Sequence, residues 1–200
     1  MRKLKIDWLK YLNEHKVMDY MIIDPPWNFD DKSPKAINPL KYDLWRDNEY
    51  GIKKIFKLAK ASYLFIWVPN SLLDVLLSLS VELRKYKYKT LITWVKLTSG
   101  GKYHYGLGHW LRNSTEQLVV FSKEIGSYKS RAIRLTMRNV YHGVIRPKTG
   151  KPRDLELSII EQLSDRGYNT GAYVFSGTEK MDCFSKYEID LIDMEFTDEV

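Results

Sequence analysis

The feature that most limits what this chain can fold into is an alternation. Short runs rich in β-branched and aromatic residues recur at 19–24 (DYMIID), 62–68 (SYLFIWV), 90–96 (TLITWVK), 117–122 (QLVVFS), 172–176 (AYVFS) and 183–189 (CFSKYEI). Their length and nearly continuous apolar character suit strands covered on both faces. Between them, residues 49–60, 71–85 and 153–164 carry helical spacing. In the second of these, Leu72, Leu73, Leu76, Leu77 and Leu79 cover one broad face. Strand, helix, strand, helix predicts an α/β fold, a mostly parallel sheet with helices on both sides.

Three segments break the alternation: 28–48, 98–114 and 124–152. Each is long for a connection inside a compact domain, and loops of that length usually serve binding or catalysis. Ligands of open α/β sheets bind beyond the carboxyl ends of the strands. All three segments follow strands, so they are expected to crowd that edge.

With 200 residues the chain suits one domain, drawn here as 1–190 with an acidic tail at 191–200. Glu188 to Val200 holds six acids and no base, the composition of a solvated tail. Apolar content of 44% lies above the range in which chains stay disordered. The longest apolar stretches fall short of the roughly 20 residues a membrane helix needs. Charges run through MRKLKIDWLKYLNEHK where a signal peptide would be continuously apolar, so a cytoplasmic location is expected. Cys183 is the single cysteine, which excludes an internal disulfide and a multi-cysteine zinc site. His15, His104, His109 and His142 show no paired ligand spacing, and no metal is expected.

The net charge is +7, and its placement says more than its sum. Between Lys123 and Arg153 nine basic residues face one acid, Glu124. Such a stripe is the electrostatic footprint of a polyanion-binding surface, nucleic acid above all. A solvated basic loop is the alternative.

The stretch MIIDPPWNF, residues 21–29, narrows the chemistry. Prolines lack the N–H that a central strand needs and fix φ near −65°, so they end the strand at the ligand-binding edge. They also hold neighbouring carbonyls in set directions. A carboxylate, Asp24, beside a rigid carbonyl suits a group with two N–H donors, such as the exocyclic amino group of a base. Trp27 adds a flat face on which a base can stack, worth about 1–3 kcal/mol where it occurs. A turn with a buried aromatic is the plainer reading of the same four residues.

Asp24, Pro25, Pro26 and Trp27 form the signature of amino-methyltransferases of nucleic acids, and the likeness extends along the chain. The sequence resembles the N(6)-adenine methyltransferase family that includes the catalytic subunit of the eukaryotic messenger-RNA N(6)-adenosine methyltransferase and its bacterial and phage relatives. KID, then DYMIIDPPW, KYD at 41–43, LFIWVPN, ITWVK, GHWLRNSTEQLVVFSK, GKPRDLELSIIEQL and AYVFSG follow one another as in that family, over roughly residues 5 to 190. The catalytic tetrapeptide precedes the cofactor loop, as in circularly permuted amino-methyltransferases. The resemblance implies a Rossmann-like methyltransferase fold and S-adenosylmethionine as cofactor.

It also implies roles. Asp24, with the Pro25 carbonyl, would accept the two N–H bonds of the target amino group, leaving its nitrogen lone pair free to attack. Asp7, with Trp8 beside it, would accept the adenine amino group of the cofactor, although Leu4, Trp8, Tyr11 and Leu12 also have the spacing of an ordinary helix. Lys151 is similar to the family lysine that meets the cofactor carboxylate, with a nucleic-acid contact as the competing role. Phe175, Ser176 and Gly177 would turn under the cofactor, in a stretch, FSGTEKMD, that departs from the family's basic continuation. Glu188, read as ending the last strand, would hold the ribose hydroxyls or else belong to the tail. Tyr42 from the first loop, and Lys96, His109, Trp110, Arg112 and Glu116 from the second loop and its flanks, would contact substrate. GLGHW lacks the spacing and the Lys-Ser/Thr pair of a phosphate-binding loop.

The sequence thus points to an enzyme methylating the N(6) amino group of adenine. The aspartate favours adenine over cytosine, whose N(4) methyltransferases usually carry serine or threonine there. The compact size resembles bacterial and phage members and leans toward DNA over RNA. A catalytically silent, nucleic-acid-binding partner subunit is the alternative, and pairing with a second copy or a related subunit accompanies either reading.

Overall fold

The computed structural model describes residues 3–5, 8–25, 27, 52–108, 110–123, 133–145, 150–174 and 186–193. In chain order the elements are β1 (Lys3–Lys5), α1 (Trp8–Glu14), β2 (Met18–Ile23), α2 (Ile52–Leu58), β3 (Ala61–Val68), a 3-10 turn (Asn70–Leu72), α3 (Leu73–Leu83), β4 (Tyr86–Leu97), β5 (Thr115–Lys123), β6 (Val140–Val144), α4 (Arg153–Ser164), β7 (Gly171–Val174) and β8 (Ile189–Asp193). The eight strands form one sheet in the order β1-β8-β7-β2-β3-β5-β4-β6. Five of its pairings are parallel, and β5 runs antiparallel to both neighbours, β3 and β4. The expected α/β sheet is therefore present, with one reversed strand.

That reversal decides what meets at the active edge. β2, β3, β4, β6 and β7 all finish on one edge, while β5 starts there. The first residues of β5 therefore face the last residues of β4.

Alternation along each strand sends side chains to two cores. On one face Met21, Ile23, Leu64, Ile66, Val68, Val119 and Phe121 pack with Tyr11 and Leu12 of α1, Ile52, Ile55 and Phe56 of α2, and Leu76 of α3. On the other, Tyr20, Ile22, Phe65, Trp67, Leu118 and Tyr173 pack with Leu155, Ile159, Ile160 and Leu163 of α4. Both faces of β2, β3 and β5 are thus covered, which is why their sequences read as nearly continuous apolar runs. Full burial of each such side chain is worth about 1.5–3 kcal/mol, so these three strands are the frame on which the edge is built.

Three features depart from the sequence expectation. The last strand occupies 189–193, not 183–189; Ile189, Leu191 and Ile192 are buried on the sheet, while the acids among them make IDLID read as tail. β8 pairs with both β7 and β1, carrying the sheet past the boundary drawn at 190. β6 lies inside the segment 124–152 that had no expected strand; Gly143 is needed there, since a Cβ would sit 2.5 Å from the Tyr141 ring. β1 adds a short edge strand before α1. Among the described residues no helix is long and apolar enough to cross a membrane.

Candidate active site

β2 stops where its sequence turns to proline. The Asp24 N–H still donates to the Val174 carbonyl at 3.2 Å, one step beyond the last paired residue, and then Pro25 follows, buried. Asp24 is therefore held by its backbone at the end of a central strand, with its carboxylate about a quarter exposed. Trp27 returns over the end of β3, where its indole N–H donates to the Trp67 carbonyl at 2.7 Å. Its ring is half-buried against the α1–α3 face.

Three further strand or helix ends bring charge to Asp24. Lys151, just before the start of α4, places its ammonium 3.1 Å from Asp24 Oδ1 and 2.6 Å from Glu116 Oε1. Glu116, second residue of β5, receives Lys96 at its other oxygen, 2.8 Å away. Lys96 is the penultimate residue of β4. The result is a chain of alternating charge, Asp24, Lys151, Glu116, Lys96, on the α4 face of the edge. Lys151 and Glu116 are about nine-tenths buried, so their charges are tolerable only because each has a partner of opposite sign. Both lysines also lie over indole rings, Lys151 Nζ 5.5 Å from the Trp67 centroid and Lys96 Nζ 4.9 Å from that of Trp94.

The start of β5 is clamped from the side. Asn70, in the turn after β3, donates to Thr115 Oγ1 at 2.8 Å and accepts from Gln117 Nε2 at 2.8 Å; Thr93 donates to Gln117 Oε1 at 2.8 Å. These bonds bracket Glu116 on both sides. The motif VPN at 68–70 thus serves to position a carboxylate contributed by another strand.

Burial is the main influence on Asp24, and with Glu116 and Glu156 nearby it pushes the carboxyl up to about 6, against the pull of Lys151. Glu116 is also buried, but Lys151 and Lys96 outweigh that and hold it below the usual carboxylate range. Burial disfavours the charged form of Lys151, yet Asp24 and Glu116 together raise it well above an ordinary lysine. At neutral pH Asp24, Glu116 and Lys151 are ionised, and of these three Asp24 lies nearest its titration point.

Beneath this chain lies a second cluster that sequence reasoning missed. Glu156, in the first turn of α4, is fully buried and accepts from Trp67 Nε1 at 2.7 Å, Tyr173 OH at 2.7 Å and Arg153 Nη1 at 2.8 Å. It ties α4 to β3 and β7, and so fixes where Lys151 begins. The signal was its place three and four residues before Ile159 and Ile160, on the helix's apolar face.

The structure thus brings together Asp24, Lys151, Glu116 and Lys96, with Trp27 joined through Trp67. Glu116 has both oxygens committed to lysines, which makes it a positioning group within the cluster. Trp110 and Arg112 sit exposed on the connection between β4 and β5, outside the charge chain. Glu188 is a correction. It precedes β8 instead of ending it, and its carbonyl accepts from the N–H of Gly171, the first residue of β7. That places it on the opposite edge of the sheet, away from any ligand bound beyond the strand ends. Asp7, Pro26, Tyr42, His109, Phe175, Ser176 and Gly177 lie outside the described residues, and Trp8 is described only as the backbone that opens α1.

The comparisons agree with this architecture. No curated protein matches the sequence. Two crystal structures of a Thermus thermophilus protein assigned as a DNA modification methylase share the fold. One, complexed with S-adenosyl-L-methionine, has a TM-score of 0.60 at 15% identity, over 96% of this chain and 86% of that one. The other, a selenomethionine derivative, has a TM-score of 0.58 at 14% identity, over 96% and 87%. The MT-A70 family profile matches residues 18–188, which contain every member of the charge chain. This chain belongs to the MT-A70 family, among the S-adenosylmethionine-dependent methyltransferases.

Proposed function

We propose that this protein transfers a methyl group to the N(6) amino nitrogen of adenine in nucleic acid, with DNA the favoured substrate. The observation that carries the reading is Asp24, a partly exposed carboxylate at the end of a central strand, paired on Oδ1 by Lys151 and followed by Pro25 and Trp27. Oδ2 is the oxygen assigned to the target amino group, and the Pro25 carbonyl takes the second N–H. With both N–H bonds engaged, the nitrogen lone pair is directed out of the base plane. Trp27, whose edge is fixed by the Trp67 carbonyl, offers its face to the base.

The donor set also suits the cofactor. Lys151 supplies a cation for an amino-acid carboxylate and Asp24 an anion beside it, the pairing that a zwitterionic end requires. When bound, S-adenosylmethionine supplies a methyl group made electrophilic by its sulfonium. Asp24 then needs to do little proton chemistry, because the N-methylated nitrogen is cationic and sheds its proton readily. Orientation of nitrogen toward methyl is the larger contribution, and the rigid strand end provides it.

The test is transfer of radiolabel from S-adenosylmethionine to native DNA, denatured DNA and structured RNA, with Asp24→Asn in parallel. Label recovered as N(6)-methyladenine and lost in the variant supports the reading. No label on any nucleic acid together with no binding of cofactor, in wild type, would favour the silent-subunit alternative.

A further inference from the structure

The connection between β4 and β5 leaves the edge at Lys96 and returns at Glu116, so both its ends are members of the charge chain. Its base is an ordered extension of the two strands. Lys96 N–H donates to the Ser114 carbonyl at 2.8 Å, His104 N–H donates to the Lys96 carbonyl at 2.8 Å, and Ser114 Oγ donates to the His104 carbonyl at 2.7 Å. Asn113 closes the tip. Its Nδ2 donates to the Leu107 carbonyl at 2.8 Å, and its carbonyl accepts from Gly106 N–H at 3.0 Å. The fold back is tight enough that a Cβ on Gly106 would meet Asn113 O at 2.3 Å, and one on Gly108 would meet Leu111 O at 2.0 Å. This is a shaped loop.

What it presents is apolar. Tyr103, Tyr105, Leu107, Trp110 and Leu111 are all exposed, Trp110 at 97%, and they make up five of the eleven large hydrophobics exposed among the described residues. Single exposed apolar residues need no explanation, but five on one ordered loop mark an interaction surface. Segment 98–114 contains Lys102 and Arg112 and no acid, which suits a polyanion. An apolar tip on a cationic stem, beside a site that must receive a base, has the form of a wedge between stacked base pairs.

We propose that Trp110, backed by Leu111, inserts into duplex nucleic acid and fills the space left when the target adenine swings out toward Asp24. The inference rests on the methyltransferase reading above and deepens it, since it makes the substrate a duplex and assigns the loop its opening. Unpairing and unstacking a base is an energetic obstacle that a filled gap offsets, whereas a single strand presents none.

The experiment compares wild type, Trp110→Ala and Trp110→Phe by fluorescence anisotropy on three labelled DNA probes: an intact duplex, the same duplex with one abasic nucleotide, and the single strand. Wild type is expected to bind the abasic duplex about tenfold more tightly than the intact one. Trp110→Ala should erase that preference and Trp110→Phe restore most of it. Equal affinity of wild type for the two duplexes, or a preference that survives Trp110→Ala, overturns the proposal. A loss of affinity that is uniform across the probes and accompanied by a change of oligomeric state in sedimentation overturns it too, and makes the loop an interface between copies. Because binding needs no turnover, the wedge can stand if no probe is methylated, which would count against the enzymatic reading alone. Where methylation occurs, the ratio of label on native to label on denatured DNA should fall about tenfold in Trp110→Ala, whereas Asp24→Asn lowers both and leaves their ratio unchanged.

Discussion

Two carboxylates at neighbouring points of the same edge have opposite surroundings. Glu156 is fully buried and has three donors on its two oxygens, all from the frame of the fold. Asp24 is about a quarter exposed and meets a single cation on one oxygen, while burial pushes its titration up to about 6. A carboxylate whose acceptors are all taken holds elements together; one left with acceptor capacity toward an open edge can take a ligand. The difference separates scaffold from site without reference to any relative, and it can be tested from either side.

The largest effect is expected at Asp24. Asp24→Asn keeps the shape and an acceptor for Lys151 but offers an amide where the target amino group needs a carboxylate. Methyl transfer should fall by about 10²–10³-fold, the scale of losing one preorganised electrostatic contact at a reacting centre. Stability should not fall with it. The raised titration point means that the folded state holds its proton more tightly than the unfolded chain, so the ionised carboxylate lowers stability as pH rises from about 4 to about 6. Thermal melting at pH 7.5 should therefore show the variant equal to or above wild type, and a clear drop would contradict the assignment of Asp24 to the site.

Glu156→Ala should do the reverse. It removes the buried carboxylate that accepts from Arg153, the Trp67 indole N–H and the Tyr173 hydroxyl. Removing one partner of a buried pair usually destabilises by about 3–5 kcal/mol, which urea denaturation would measure. Affinity for cofactor should follow stability, because Lys151 sits two residues before α4 and is placed by it. A variant as stable as wild type would mean that Glu156 is not the tie between helix and sheet.

The same contrast explains how much of the molecule the sequence discloses. Asp24, Lys96, Glu116 and Lys151 are all legible as site residues, since each lies in a quoted motif at a strand or helix end. Their joining into one chain is not, because it depends on β5 running backwards, which no local pattern in QLVVFS reveals. Glu156 escapes a sequence reading because an acid in the first turn of a helix ordinarily complements the helix dipole. Its acceptor role requires Trp67 and Tyr173, which are 89 and 17 residues away in sequence. Glu188 is misplaced because an acidic strand reads like a tail, and shifting the strand along the chain moves that residue from the carboxyl to the amino edge. Local propensity identifies the central strands well, since burial on both faces leaves their middles nearly continuously apolar.

A third prediction moves Asp24 without replacing it. Activity should rise with pH through about 6 in wild type, as the carboxylate ionises, and level off above it. Lys151→Met removes the cation that opposes burial, so the rise should shift upward by about 1–3 pH units. The profile of single-turnover rate against pH, at saturating cofactor, would show this. A limb that stays in place would mean that Lys151 does not tune Asp24.

The smallest effect is expected at Trp27, where the comparison is finest because scaffold and site meet in one side chain. Its N–H is spent on the Trp67 carbonyl, and Trp67 in turn donates to Glu156, so the stacking face is anchored to the buried cluster. Trp27→Phe keeps an aromatic face but loses the anchor, a neutral hydrogen bond worth about 0.5–1.5 kcal/mol. If Trp27 acts by stacking, KM for nucleic acid should rise a few-fold with kcat nearly intact, and Trp27→Leu should lose about a further tenfold as the flat face disappears. If Phe and Leu behave alike, the indole only closes the end of β3, and the base is held by Asp24 and the loops alone.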